Sequence, residues 1–230
     1  MAKSTKRFSL DRYQICVAPA TTAGAPVVYL NMYEDETDQT LDALASLGCP
    51  DVALIGISNI DWGRDMTPWE APSAFERNKS YGGRADGYLE LLVSQIAPSA
   101  EAELGGEPAW RGLAGYSLAG LFACYAPYKS TFFSRVASMS GSLWYPNFLE
   151  FATSHDMARV PERAYLSVGS KESHTRNQAT STVRDRTEAF RDYLESVGAR
   201  ASFELNPGGH FKDICLRTAK GIMALADKAR

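Results

Sequence analysis

The hexapeptide Gly115-Tyr116-Ser117-Leu118-Ala119-Gly120 constrains this chain more than any other stretch. An apolar run, Trp110 to Ala114, leads into it, and a long apolar helical pattern, Leu118 to Tyr125, leads out, which reads as strand, tight turn and helix. A serine at the apex of such a turn is held in a strained backbone conformation, open to it only where its neighbours are small; Gly115, Ala119 and Gly120 meet that demand. The hydroxyl is pushed out at the carboxyl edge of a sheet. Behind it the amide of Leu118 opens a helix, where unpaired N–H groups and the helix dipole stabilise an oxyanion. The pattern is a G-x-S-x-G nucleophile elbow with Ala119 in the fifth position and the glycine one residue later. The competing reading is a glycine-rich turn carrying an ordinary serine.

Around the elbow the chain alternates between strand and helix signals. Phe8 to Val17 carries one or two strand-like stretches, and Pro26 to Asn31 is a short apolar run bounded by Gly24-Ala25 and an acidic loop. Thr40 to Leu47 has leucines at helical spacing and stops at Gly48, and Asp51 to Ile57 is a continuous apolar run of the kind found in strands buried on both faces. The rhythm breaks over residues 59–83. It resumes with a helix from Gly87 to Ile96 that Pro98 is expected to stop, then the elbow, strands at Arg135–Met139 and Arg163–Val168, a helix at Thr182–Val197, a strand at Ala201–Leu205 and a last helix at Ile214–Ala226. Such alternation predicts an α/β fold: a mostly parallel central sheet with helices on both faces and functional residues in loops at the carboxyl ends of the strands.

A chain of 230 residues with 45% hydrophobic content and no Pro/Gly/Ser-rich linker or internal repeat is expected to form a single domain over 1–230. A formal charge of −3 suggests neither nucleic acid nor an anionic membrane surface as a partner, so a small molecule is expected. The basic start, Met1 to Arg7, is followed by no apolar segment of signal-peptide type and no run reaches the length of a membrane span, which reads as a cytoplasmic protein. Oligomeric state leaves no trace in the sequence. Cys16, Cys49, Cys124 and Cys215 are widely spaced with no C-x-x-C pair, against a zinc site or a disulfide scaffold; no metal and no cofactor is expected.

A serine hydroxyl is a weak nucleophile at neutral pH and needs a base, which in turn needs a group that fixes its tautomer and stabilises its charge. Of three histidines, His210 has the suitable address, in Asn206-Pro207-Gly208-Gly209-His210-Phe211 directly after the last strand; His155 reads as a surface residue. Glu172, just beyond the strand ending at Val168, is the candidate acid, and the order Ser117, Glu172, His210 suits this architecture. The alternatives are a solvated Glu172 paired with Lys171 or Arg176, and Asp213 or Asp185 as the acid.

One oxyanion donor is expected at the Leu118 amide and a second in the loop after Asn31, with Met32 preferred and Tyr33 next. The segment Ile60 to Trp69 reads as pocket wall and partial lid, giving Trp62, Arg64 and Trp69 as candidate substrate contacts beside Tyr116 and Trp144; an Arg64–Asp65 stabilising network is the alternative. Arg64, Arg77, Lys79 and Arg84, interleaved with aromatic residues, favour an aromatic, anionic ester unless Asp61, Asp65, Glu70, Glu76 and Asp86 neutralise them.

Taken together, Gly115 to Ala123, Met139-Ser140-Gly141-Ser142-Leu143-Trp144, Val168-Gly169-Ser170-Lys171-Glu172 and Pro207-Gly208-Gly209-His210-Phe211 resemble the esterase D-like branch of the α/β-hydrolases. That branch includes S-formylglutathione hydrolases, feruloyl and acetylxylan esterases, mycolyltransferases and trilactone siderophore esterases. Arg64-Asp65-Met66-Thr67-Pro68 is similar to a segment of its siderophore-esterase-like members. The resemblance implies an α/β-hydrolase fold, here with a minimal cap, with Ser117 as nucleophile, His210 as base and Glu172 as acid. It implies a serine esterase acting through an acyl-enzyme on siderophore-type or aromatic esters, the alternatives being an acyltransferase or a non-catalytic binding module of the same fold.

Overall fold

The apolar runs of the sequence become the strands of one eight-stranded sheet. In the computed structural model, which describes residues 5–227, the chain runs β1 (Lys6–Leu10), β2 (Tyr13–Ala18), β3 (Val27–Asn31), α1 (Thr37–Ser46), β4 (Ala53–Ser58), α2 (Trp62–Asp65), β5 (Glu70–Pro72), β6 (Ser80–Gly82), α3 (Ala85–Leu91) and α4 (Ala97–Glu101). It continues through β7 (Arg111–Tyr116), α5 (Leu118–Tyr125), β8 (Arg135–Met139), α6 (Phe148–Ser154), β9 (Arg163–Gly169), α7 (Val183–Ser196), β10 (Arg200–Asn206) and α8 (Ile214–Ala226). The sheet order is β1-β2-β4-β3-β7-β8-β9-β10. Only β2 runs against its neighbours; every other pairing is parallel.

Parallel strands need helical crossovers, and these bury both faces of the sheet. Side chains alternate along β3: Val28 and Leu30 join Leu54, Ala137 and Ile222 under α1 and α8, while Tyr29 joins Ile55, Phe122 and Phe190 on the face covered by α3, α5 and α7. All of β3 and β4 is buried, which is why these segments read as unbroken apolar runs rather than alternating ones.

Two boundaries differ from the sequence reading. The α1 helix begins at Thr37, not Thr40, because the Asp35 carboxylate accepts from both the amide and the hydroxyl of Thr37 at 3.1 and 2.6 Å and starts the turn early. Pro98 does not stop the helix before it. Leu92–Ile96 form a π turn between α3 and α4, and Pro98 stands at the start of the renewed α-helix. There its missing N–H costs little. The far end of α4 is then tied to the sheet by Glu101, which takes two hydrogen bonds of 2.7 Å from Arg111 and one from the Tyr29 hydroxyl.

Between β4 and α3 the chain makes only α2 and the β5–β6 hairpin, which is paired antiparallel apart from the main sheet. The hairpin is tied across the carboxyl edge by Asn177, whose Nδ2 donates to the Ala74 carbonyl at 2.6 Å. Among the described residues no helix is long and apolar enough to cross a membrane.

Candidate active site

Ser117 sits at the tip of β7 with φ 58° and ψ −121°, a conformation that a non-glycine residue holds only when its surroundings enforce it. Three backbone bonds do so: its N–H donates to Met139, and its carbonyl accepts from the amides of Leu121 and Ser142, all at 3.0–3.1 Å. The turn is also too tight for side chains at its base. A Cβ on Gly115 would come within 2.4 Å of the Ala119 backbone, and one on Gly120 within 2.9 Å of the Gly141 Cα.

His210 arrives from the loop after β10. That loop is held from below, since the Tyr116 hydroxyl donates to the His210 carbonyl at 2.6 Å and the Lys171 amide donates to the Gly208 carbonyl at 3.0 Å. The imidazole Nε2 lies 3.2 Å from Ser117 Oγ, and Nδ1 lies 2.7 Å from Glu172 Oε2. Glu172 is acceptor-only when ionised, so Nδ1 carries the proton and Nε2 is free to accept from the serine hydroxyl. The structure thus brings together Ser117, His210 and Glu172. Asp213 and Asp185 are exposed, and neither makes a bond to His210.

Glu172 is well held. Burial raises its carboxyl pKa, but hydrogen bonds from His210, Ser140 and the Gly169 amide outweigh burial, and the net direction is down. Ser140 Oγ donates to Oε1 at 2.6 Å. Behind that oxygen stands Arg217, a buried arginine absent from the sequence reading, with Nη1 3.5 Å from Glu172 Oε1 and Nη2 donating 2.8 Å to the Pro207 carbonyl. One guanidinium therefore braces both the loop of the histidine and the carboxylate facing it. Arg217 lies in an amphipathic helix, where a lone arginine looks like any solvent-facing residue.

The Leu118 amide, first in α5, has no acceptor among the described residues. Met32 does not fit the second position. Its N–H extends the parallel ladder and donates to the Ile57 carbonyl at 2.8 Å, whereas the next amide, that of Tyr33, makes no backbone bond among the described residues.

Two cavities meet at Ser117 and His210. The larger, ≈ 410 Å³, is lined by Met32, Tyr33, Trp62, Tyr116 and Ile214 among others; the smaller, ≈ 270 Å³, is lined by Ser142, Trp144, Lys171 and His174. Phe75 from the hairpin and Phe211 beside the histidine border both, and both are exposed, at 71% and 83%. Trp62, Tyr116 and Trp144 are therefore at the site. Arg64 and Trp69 are not. Arg64 pairs with buried Asp65 at 3.4 Å, and Asp65 also accepts from Tyr13. Trp69 donates to the Pro146 carbonyl at 3.0 Å and packs against Tyr145 and Phe151. Both residues build the base of the hairpin.

The four cations behind the expectation of an anionic ester, Arg64, Arg77, Lys79 and Arg84, line neither cavity, and Lys79 pairs with Glu76. His155 stacks on Phe151 at the end of α6, with Nδ1 2.9 Å from the Phe151 carbonyl, remote from Ser117 in its contacts. Among the described residues no group of three or more His, Cys, Asp or Glu is arranged to hold a metal ion.

A family model described as "Putative esterase" matches residues 23–211. The chain is similar to the uncharacterized protein YbbA of Bacillus subtilis (strain 168), at 27% identity over 221 residues that cover 91% of this chain and 88% of that one. Among solved structures it is similar to a siderophore hydrolase, EstA, of Aspergillus nidulans, at 20% identity and a TM-score of 0.77 over 97% of this chain and 93% of the other. It is also similar to an IroE-like serine hydrolase of Shewanella oneidensis, at 22% identity and a TM-score of 0.74 over 97% of this chain and 79% of the other.

Proposed function

The chain belongs to the esterase family and has the α/β-hydrolase fold, and from that premise we propose that it cleaves carboxylic esters through an acyl-enzyme formed on Ser117. The observation that carries this reading is the line Ser117 Oγ, His210 Nε2, His210 Nδ1, Glu172 Oε2, with steps of 3.2 and 2.7 Å, at the tip of a strained elbow.

In the first step His210 takes the Ser117 proton as the oxygen attacks the ester carbonyl. The carbonyl oxygen becomes an oxyanion beside the amides of Leu118 and Tyr33. Collapse of the tetrahedral intermediate expels the alcohol, which takes the proton from His210. Water then repeats the sequence on the acyl-enzyme, with His210 again as base. Throughout, Glu172 holds the Nδ1–H tautomer and stabilises the imidazolium. No step calls for a metal or organic cofactor.

For the substrate, support comes from the aromatic rim of Tyr33, Trp62, Phe75 and Phe211, which suits an ester with an apolar or aromatic arm, and from the siderophore hydrolase named above. A cleft formed of two cavities that meet at the serine suits an extended ester cut near its middle. We read the chain as one domain with a minimal cap, the β5–β6 hairpin.

The test is hydrolysis of p-nitrophenyl esters of graded chain length beside a trilactone siderophore, with labelling by a fluorophosphonate. Wild type should hydrolyse esters and label. Ser117→Ala should do neither, and His210→Ala should lose on the order of 10³-fold or more in turnover. Undiminished hydrolysis in Ser117→Ala rejects the mechanism.

A further inference from the structure

The two cavities at Ser117 differ in charge. Glu34 and Glu36 line the larger one, and among the described residues no lysine or arginine does. Its other walls are largely apolar, including Leu30, Met32, Trp62 and Ile214. Neither carboxylate has a cationic partner among the described residues; Arg7, the basic residue that reaches this acidic loop, pairs instead with Asp35 and Asp38. Burial, with the neighbouring Glu34 charge second, raises the Glu36 carboxyl above its ordinary value, as expected for a carboxylate with no cation to meet it. Asn31 also lines this cavity. It is 1% exposed, its Oδ1 accepts from Tyr88 at 2.6 Å, and its buried Nδ2 has no acceptor among the described residues. Across the serine, the smaller cavity is lined by Lys171, His174 and Glu172; the Glu172 carboxylate is already engaged by His210, Ser140 and Arg217, whereas Lys171 has no carboxylate partner among the described residues.

We propose that the cavity holding Glu34 and Glu36 selects the ester arm that carries an ammonium group, while Lys171 turns that arm away from the opposite cavity. The proposal rests on hydrolysis at Ser117 and adds what that chemistry does not decide, namely the charge of the substrate and its orientation across the serine. An apolar, partly enclosed wall removes water from an ammonium group, and a carboxylate on that wall compensates the loss; a carboxylate arm placed there would meet two like charges and, among the described residues, no lysine or arginine. The chemical class is therefore an extended ester with an apolar spacer between the scissile carbonyl and an amine.

The experiment uses the full chain and two matched series of six-carbon arms. In the first, p-nitrophenyl hexanoate, 6-aminohexanoate and hydrogen adipate place the charge on the acyl side. In the second, hexyl acetate and 6-aminohexyl acetate place it on the alcohol side. In at least one series kcat/KM for the ammonium ester should exceed that of the neutral ester by about tenfold. In the Glu34→Gln/Glu36→Gln double variant that ratio should fall to about one, with folding checked by circular dichroism. Binding of n-hexylammonium against n-hexanol to the Ser117→Ala protein, measured by calorimetry, gives the same comparison without catalysis. Ammonium and neutral esters with equal kcat/KM in both series, or a preference that survives in the double variant, would overturn the proposal and leave the esterase reading in place. If wild type hydrolyses none of these esters, the mechanism at Ser117 fails instead, and the calorimetric comparison alone decides the charge selection: tighter binding of the ammonium that is lost in the double variant supports it, and equal binding rejects it.

Discussion

Arg217 Nη1 and Glu172 Oε1 stand 3.5 Å apart, with 2% and 4% of their side chains exposed, behind the face of the carboxylate that meets His210. A buried pair of this kind adds little stability by comparison with an apolar pair of the same volume, but removing one partner strands the other in a low-dielectric setting.

Arg217→Met should accordingly cost about 3–5 kcal/mol of stability in urea denaturation. If Arg217 serves only the fold, the pH dependence of kcat will keep its shape. If it positions and charges Glu172, the carboxylate will protonate more easily and the acid limb will move to higher pH, with partial recovery in Arg217→Lys. An unmoved acid limb in a folded variant removes the positioning role.

Glu172→Gln should fold and lose about 10²- to 10⁴-fold in turnover, because an amide neither stabilises the imidazolium nor enforces the Nδ1–H tautomer. Asp213→Asn and Asp185→Asn should stay near wild type, both side chains being exposed and unbonded to the histidine. A large loss in either would move the acid elsewhere.

The same carboxylate links stability to pH. Its folded pKa lies below the ordinary value of 4.5, so the unfolded chain binds the proton more readily. The contribution to stability is full above the unfolded value and is lost as pH falls through the lower folded value. Urea midpoints followed from pH 6 down to about 3 should decline less steeply in Glu172→Gln than in wild type; parallel curves would show that Glu172 does not titrate with folding.

The two candidate oxyanion amides can be separated. Replacing the peptide N–H of residue 33 by an ester oxygen should lower kcat by about 10²- to 10³-fold, whereas Tyr33→Ala, which keeps the amide, should act mainly on KM. The same backbone exchange at Met32 removes a sheet hydrogen bond and should show chiefly as lost stability. Equal kcat losses at the two positions would reject Tyr33 as the donor.

At the elbow, Gly115→Ala places a methyl group 2.4 Å from the backbone of Ala119. Since α5 cannot retreat without moving Ser117, the expected cost is about 1–3 kcal/mol together with a fall in kcat. Thermal denaturation and turnover measured together check it, and a variant with full activity would mean that the turn has slack.

Much of the sheet was legible because a strand buried on both faces is largely apolar, as β3 and β4 are up to their last residues, Asn31 and Ser58. The candidate nucleophile and base were legible for a related reason, since tight turns at strand ends demand small residues that sequence displays. What stayed hidden was decided by partners distant in the chain. Arg217 and Glu172 are separated by 45 positions, and nothing local in α8 distinguishes this arginine from a solvated one. Met32 and Tyr33 differ only in which amide the ladder to β4 uses, and a backbone amide has no side-chain signature. Arg64 and Trp69 looked like pocket residues because a hairpin base and a binding wall draw on the same aromatic and basic side chains. Pro98 was read by its usual effect on an α-helix, and the π turn before it is a tertiary choice.

The pairing of β9 with β10 runs without a break from Arg200 opposite Arg163 to Asn206 opposite Gly169, and β10 closes one edge of the sheet. Glu172 and His210 hang from the ends of these two strands, 38 positions apart in sequence. The ladder thus works as a ruler: a slip of one residue would displace one loop against the other by about 3.3 Å, more than the whole length of the bond between them. Ser117, at the tip of β7, lies outside that ladder. If Ser117 acts as the nucleophile, turnover would depend on the last strand lying in register, and activity would report that register rather than the presence of the central strands alone.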